Sequence, residues 1–315
     1  MYPRPTVTTS QLPAGRGCVH DIATLALAIP LFPVERSMQL EKLVAARAES
    51  RAKSRVESRR RIGWAAIFIK AYALVAREMP ELRSWLSGRL RHRLATSSHS
   101  TATLAVHRGD LGTDRLFLPR IIRPEEMTLR EIQGLIHQYT TRAPKDVFAR
   151  QLELEMLPGI LRRAVLRWNM RSASPRRTAR IGTFSVSTLA GFEATNRMHP
   201  TICTTSLSYG PVESDGRCLV TLIADHRVLD GATVARALAR LEAVLTSVIV
   251  EELSTEELST EELSTEELST TSCRATRSPR ETGTERFPRS RPYEGRDGAG
   301  RDGAGVMRVS HGRTP

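Results

Sequence analysis

The chain has 315 residues, 40% hydrophobic and 5% aromatic, with a formal net charge of +13. That length admits one large domain or two small ones, and no uninterrupted apolar run approaches the ~20 residues of a membrane-spanning helix. So few aromatic rings speak against a stacking platform for single-stranded nucleic acid, leaving charge as the sole motive for a nucleic-acid binder.

Residues 1–20 read as a loose N-terminal arm. Ile22 to Phe32 is a short, mostly apolar run with no small-x-small cleavage site after it, so a secretory leader is not expected. Residues 38–60 are rich in Ala, Arg and Glu and read as helix. Trp64 to Ala76 is apolar nearly all round, the mark of a buried helix, and Pro80 ends it. Lys70 lies inside that helix, where it either snorkels or meets a ligand.

Thr101–His107 and Leu116–Ile122 read as strands. Thr128 with Glu131 has the capping-box spacing, ahead of Ile132, Leu135, Ile136 and Tyr139 on one helical face. In the next helix Leu157, Ile160, Leu161, Ala164, Val165 and Trp168 share a face, opposite Arg162, Arg163 and Arg167. Its apolar face is expected to pack on its own domain. Strands follow at Gly182–Thr188, Ile202–Leu207 and Cys218–Ala224, and a helix at Ala232–Val250. Helices and strands in this order fit a mixed α/β or α+β sandwich rather than an alternating parallel sheet.

Beyond residue 250 the pattern changes. Residues 251–270 are four tandem copies of Glu-Glu-Leu-Ser-Thr with eight glutamates and no basic residue. Leucines five apart build no continuous helical stripe, so this block is not expected to contribute to a core. Residues 271–315 are rich in Arg, Ser, Pro and Gly and are expected to form a disordered basic tail. The body carries the remaining excess of arginine: of 47 basic residues only Lys42, Lys53, Lys70 and Lys145 are lysines. Such a surface attracts phosphate-bearing ligands, or is simply solvated.

Cys18, Cys203, Cys218 and Cys273 show no metal spacing and no CxxC pair, which fits a reducing cytoplasm. His20, His92, His99, His107, His137, His199 and His311 show no ligand spacing and read as surface or packing residues, so no metal is expected. The eighth histidine stands apart. In Asp225-His226-Arg227-Val228-Leu229-Asp230-Gly231 it lies at the exit of an apolar strand, with a carboxylate four residues on and a glycine before a helix. That setting suits a rigid, partly shielded general base. Upstream lies Gly182-Thr183-Phe184-Ser185-Val186-Ser187-Thr188-Leu189.

These two motifs, in this order, resemble those of the catalytic domain of 2-oxo acid dehydrogenase dihydrolipoyl acyltransferases, whose fold is that of chloramphenicol acetyltransferase. The resemblance spans residues 21–250 and is strongest over 180–245. It implies an α+β two-layer sandwich, a mixed sheet covered by helices, followed by the 251–270 repeat and the tail. It implies acyl transfer between a coenzyme A thioester and a thiol or other nucleophile. By the same resemblance His226 is the base, Ser187 the hydroxyl on the oxyanion and Asp230 a positioning residue. Asp225 and Arg227 hold the turn, and Gly231 permits the bend. A homotrimer is implied, with Ser187 serving a neighbour's His226. No lipoyl hairpin surrounds any of the four lysines, so a lipoyl group would reside on a separate carrier. The alternative is a trimeric scaffold of the same fold without activity.

Overall fold

The computed structural model describes residues 7–10, 12, 15–53, 61–88, 91–109 and 115–255. All of these fall in one compact unit, Met1–Thr265. The basic tail and the three later repeat copies lie outside the described residues.

The core is built on one helix. α3 (Trp64–Glu78) buries every residue from Ala66 to Ala76, as its unbroken apolar sequence requires. It lies against a six-stranded sheet of order β1-β10-β9-β8-β4-β7. The strands are β1 (Leu31–Gln39), β4 (Thr101–Leu104), β7 (Arg120–Ile122), β8 (Phe184–Val186), β9 (Thr205–Tyr209) and β10 (Arg217–Asp225). β8 runs parallel to β4 and β9, and the other neighbours are antiparallel. The Phe68 ring stacks on Tyr209 at 4.1 Å, and the Tyr72 hydroxyl donates to Thr205 Oγ1 at 2.7 Å. α9 (Gly231–Thr246) packs beside α3.

Alternation along the strands makes two unlike faces. Phe184, Val186, Leu207, Tyr209, Val220, Leu222 and Ala224 join the core. Period-two geometry sends Ser185, Ser187, Ser206, Ser208 and Thr221 to the other face. The sheet is thus greasy on one side and hydroxyl-rich on the other.

Two hairpins were not expected from sequence, β2 (Ser84–Ser87) with β3 (Arg93–Thr96) and β5 (Val106–Arg108) with β6 (Arg115–Phe117). The expected strands 101–107 and 116–122 are each broken in two. Pro119 stands at the second break and donates no ladder hydrogen bond. β1 was also missed. It occupies the sheet edge, where Pro33 is tolerated, and the run from Ile22 divides between α1 (Gly17–Ala26) and this strand. Helix α2 starts only at Glu41. The capping box on α4 (Leu129–Thr141) is present: Glu131 N donates to Thr128 Oγ1 at 3.2 Å and Thr128 N to Glu131 Oε2 at 2.7 Å.

Three expectations are corrected. The arm is shorter than residues 1–20, since α1 begins at Gly17. The first repeat copy is part of the fold: residues 248–255 are helical, and Leu253 is 1% exposed in the main core. A five-residue period builds no stripe, but one leucine needs none. Glu252 Oε1 accepts from Leu129 N at 3.0 Å and its other oxygen lies 3.8 Å from Lys70 Nζ. Lys70, itself buried, also donates to the Met127 carbonyl, so both of its partners lie within the chain.

The third correction concerns α7 (Gly159–Arg171), which turns the opposite way. Ile160 is 76% exposed, Leu161 54% and Trp168 68%. Arg162 points inward to an ion pair with buried Asp21 of α1. An unpaired buried carboxylate costs several kcal/mol, which holds Arg162 inward on Asp21.

Candidate active site

β10 delivers Asp225 to the sheet's end, where its amide donates to Thr204 O at 2.9 Å. The chain then turns without any left-handed residue. Val228 N and Leu229 N both donate to Asp225 O at 3.0 Å. The Asp225 carboxylate, on a residue only 5% exposed, takes a two-pronged grip from Arg227: Nε at 2.9 Å and an Nη at 2.7 Å. It also accepts from Arg227 N at 3.0 Å. These hydrogen bonds to Asp225 raise the Arg227 guanidinium above its ordinary value. A second Nη of Arg227 reaches Ala28 O at 3.4 Å.

His226 is pinned between these two residues. Its amide donates to Pro30 O at 3.0 Å, and its ring lies against Phe32 with centroids 4.6 Å apart. The ring is exposed. The partial shielding expected of a base is therefore not provided by its own chain. Asp230 caps α9, its Oδ1 accepting from Thr233 N at 2.7 Å. That hydrogen bond, at a helix N-terminus, holds the exposed carboxyl below its usual range.

Gly231 needs correction. It opens α9 without a positive φ, and a Cβ there would meet nothing within 4 Å. The bend comes from Asp225 and the Asp230 cap, not from glycine freedom. The glycine that backbone geometry does require is Gly182, with φ +94°. A Cβ there would lie 2.4 Å from Thr103 Oγ1 and 3.0 Å from Thr101 O.

Ser187 continues β8 through a hydrogen bond from its amide to Leu207 O at 3.0 Å. It is half-buried on the hydroxyl-rich face, level with Ser208, whose own Oγ is buried without a partner among the described residues. The sheet registers put Ser187 two strands across from Thr221, and His226 five residues farther along β10 and its exit. At ~3.3 Å per residue and ~4.8 Å per strand the separation is on the order of 20 Å. One chain does not bring the two side chains together.

A network that sequence reasoning missed starts at Ser185, two residues before Ser187 on the same face of the strand. His199 Nε2 lies 2.6 Å from Ser206 Oγ, which accepts from Ser185 Oγ at 2.6 Å. Ser185 Oγ also meets Thr201 Oγ1 at 3.0 Å, and His199 Nδ1 faces Asn196 Nδ2 at 3.2 Å. Burial pushes the His199 imidazole down to about 4, so it is neutral near pH 7. Its sole sequence signal was a histidine in a polar loop before a strand. The thiols of Cys18, Cys203 and Cys218 are poor nucleophiles: burial pushes Cys18 and Cys218 up to about 12 and raises Cys203. Among the described residues no cluster of three His, Cys, Asp or Glu could hold a metal, and no helix is long and apolar enough to cross a membrane.

Residues 14–152 match the 2-oxoacid dehydrogenases acyltransferase catalytic domain. That match ends before Ser187 and His226. No curated protein matches the sequence. Among solved structures, the dihydrolipoamide acetyltransferase of Azotobacter vinelandii superposes with a TM-score of 0.58 at 18% identity, covering 79% of this chain and 98% of its own. A catalytic core of the 2-oxoacid dehydrogenase multienzyme complex from Thermoplasma acidophilum gives 0.55 at 16%, covering 76% and 99%. The cubic core of a pyruvate dehydrogenase multienzyme complex gives 0.52 at 19%, covering 79% and 98%. Residues 14–152 thus resemble the acyltransferase catalytic domain in sequence, and the chain shares the fold of these solved cores.

Proposed function

We propose that this acyltransferase domain moves an acyl group between a coenzyme A thioester and a dihydrolipoyl-type thiol, in active sites shared between copies of the chain. The observation that carries this is the turn at the end of β10: the buried Asp225 carboxylate, gripped by the exposed Arg227, fixes the backbone on both sides of an exposed imidazole. A histidine used only for packing would be covered.

His226 would take the proton of the attacking thiol as sulfur bonds to the thioester carbonyl. Between free model groups, proton transfer from a thiol to an imidazole is uphill by about 2.7 kcal/mol, small beside a typical enzymatic barrier. The tetrahedral oxyanion would accept a hydrogen bond from the Ser187 hydroxyl. Collapse breaks the original C–S bond, and His226 returns the proton to the departing sulfur. Because the two side chains lie on the order of 20 Å apart in one chain, Ser187 would come from a neighbour, as in a trimer. Asp225 and Arg227 hold the base, and Asp230 fixes the start of α9. The Azotobacter structure addressed the catalytic roles of a serine, a histidine and an asparagine, the last two four positions apart, as His226 and Asp230 are. The acyl-bearing thiol would arrive on a separate lipoyl carrier. The free cysteines fit a reducing cytoplasm.

The test is acetyl-CoA turnover with dihydrolipoamide. His226→Ala should lose 10²–10⁴-fold, the range of general base catalysis, and Ser187→Ala roughly 10²-fold. Mixing the two inactive variants during assembly should regenerate activity, to about a quarter of wild type for randomly mixed rings in which each site joins two chains. Equal rates in wild type and His226→Ala end the proposal. The exposed apolar face of α7 favours a second possibility, a catalytically inactive trimeric scaffold; it predicts stable oligomers with no turnover.

A further inference from the structure

Beside the turn that holds His226, α1, β2 and α7 enclose a cavity of about 530 Å³, within the usual range for small-molecule sites. Its charge is one-sided. Arg163, Arg167, Arg171, Arg177, Arg227 and His92 line it, against the single carboxylate of Asp225. That carboxylate is already matched by Arg227. Arg167, Arg171 and Arg177 have no carboxylate in ion-pair reach among the described residues.

Arg177 is the telling member. It is 2% exposed. One of its Nη atoms donates to Gly182 O at 2.8 Å and its guanidinium stacks over the Trp85 ring at 4.4 Å, yet its Nε is buried without a partner. A buried guanidinium with no carboxylate partner is costly, and an anion bound nearby offsets that cost. Fork-shaped guanidiniums converging on a concave surface match the oxygens of phosphate groups.

We infer that this cavity binds the phosphate groups of a small organic phosphate, held by Arg167, Arg171 and Arg177, while Arg163 on its rim lies 3.7 Å from the Asp21 carboxylate. Two sources share that chemistry: the phosphorylated arm of the acyl donor, or a separate free organic phosphate that acts as an effector. The first source rests on the acyltransferase reading, because Asp225 and Arg227 put the cavity next to His226. The binding site itself does not rest on it.

The experiment is calorimetric titration of the full chain with adenosine 3′,5′-bisphosphate. Wild type should bind, and more weakly as salt rises. The double variant Arg167→Gln/Arg171→Gln, at two exposed positions, should bind at least tenfold more weakly, or about 1.4 kcal/mol. The matching double lysine variant keeps charge but not the fork and should fall between. Thermal melting checks that both variants fold. His226→Ala should keep wild-type affinity, so loss of turnover and loss of binding are separable. If the bisphosphate competes with acetyl-CoA, and the double glutamine variant raises KM for acetyl-CoA more than for its dephospho form, the phosphates are the donor's. If it binds through the same arginines without competing, the source is a separate organic phosphate. No binding to wild type, equal affinity in the glutamine variant, or arginine-dependent binding to anionic vesicles alone overturns the inference.

Discussion

Replacing His199 with glutamine tests whether the polar network at Ser185 is a buried, neutral one. The imidazole sits among Ser206, Ser185 and Asn196, and burial depresses it to about 4 from an unfolded value of 6.5. The sign follows from linkage. Above pH 6.5 the ring is neutral in both states, and its contribution to stability is fully present. As the pH falls, the unfolded chain takes up a proton that the folded chain refuses until near pH 4, so stability is lost across that window. The whole shift corresponds to about 3 kcal/mol, of which about 2 kcal/mol is gone by pH 5. Glutamine still reaches Ser206 but cannot titrate. Urea unfolding from about pH 7.5 to about pH 5, at fixed protein concentration because assembly contributes, should show the wild type losing about 2 kcal/mol more than His199→Gln. Parallel losses in the two proteins would refute the burial argument.

Gly182→Ala should destabilise by more than ~1–3 kcal/mol, because the φ of +94° and the contact with Thr103 Oγ1 both penalise a Cβ; a variant melting with the wild type would contradict this. Leu253→Ala should cost about 2–5 kcal/mol by denaturant titration, the range for truncating a buried leucine. Leu258→Ala in the next repeat copy serves as the paired control. A chain ending after Thr255 should accordingly keep more stability than one ending after Val250.

Much of the site was legible because its determinants are local. A run of apolar residues followed by Asp-His-Arg, a cap-forming aspartate and an amphipathic stretch specifies strand, turn and helix within 30 residues. The capping box at Thr128 and the buried α3 were legible for the same reason. The hairpins β2–β3 and β5–β6 were not, since their strands are three or four residues long and such short runs show no clear period. Edge strand β1 depends on pairing with β10, nearly two hundred residues away, and that pairing puts Phe32 under His226.

Orientation was the harder matter. The face of α7 that sequence alone would bury is exposed, because Asp21 on another helix needs Arg162. Leu253 is core because the helical segment 248–255 that follows α9 carries it there, although its repeat has no amphipathic period. The sequence by itself determined which residues stand at the strand end, in the turn and at the helix cap, because spacing along a strand or helix fixes order and local conformation. Only the tertiary structure decided which of them meet: it separates Ser187 from His226, joins His199 to Ser206 and turns arginines toward one cavity. Those outcomes follow from pairing between distant strands and from satisfying buried charge, and neither leaves a periodic trace in the chain.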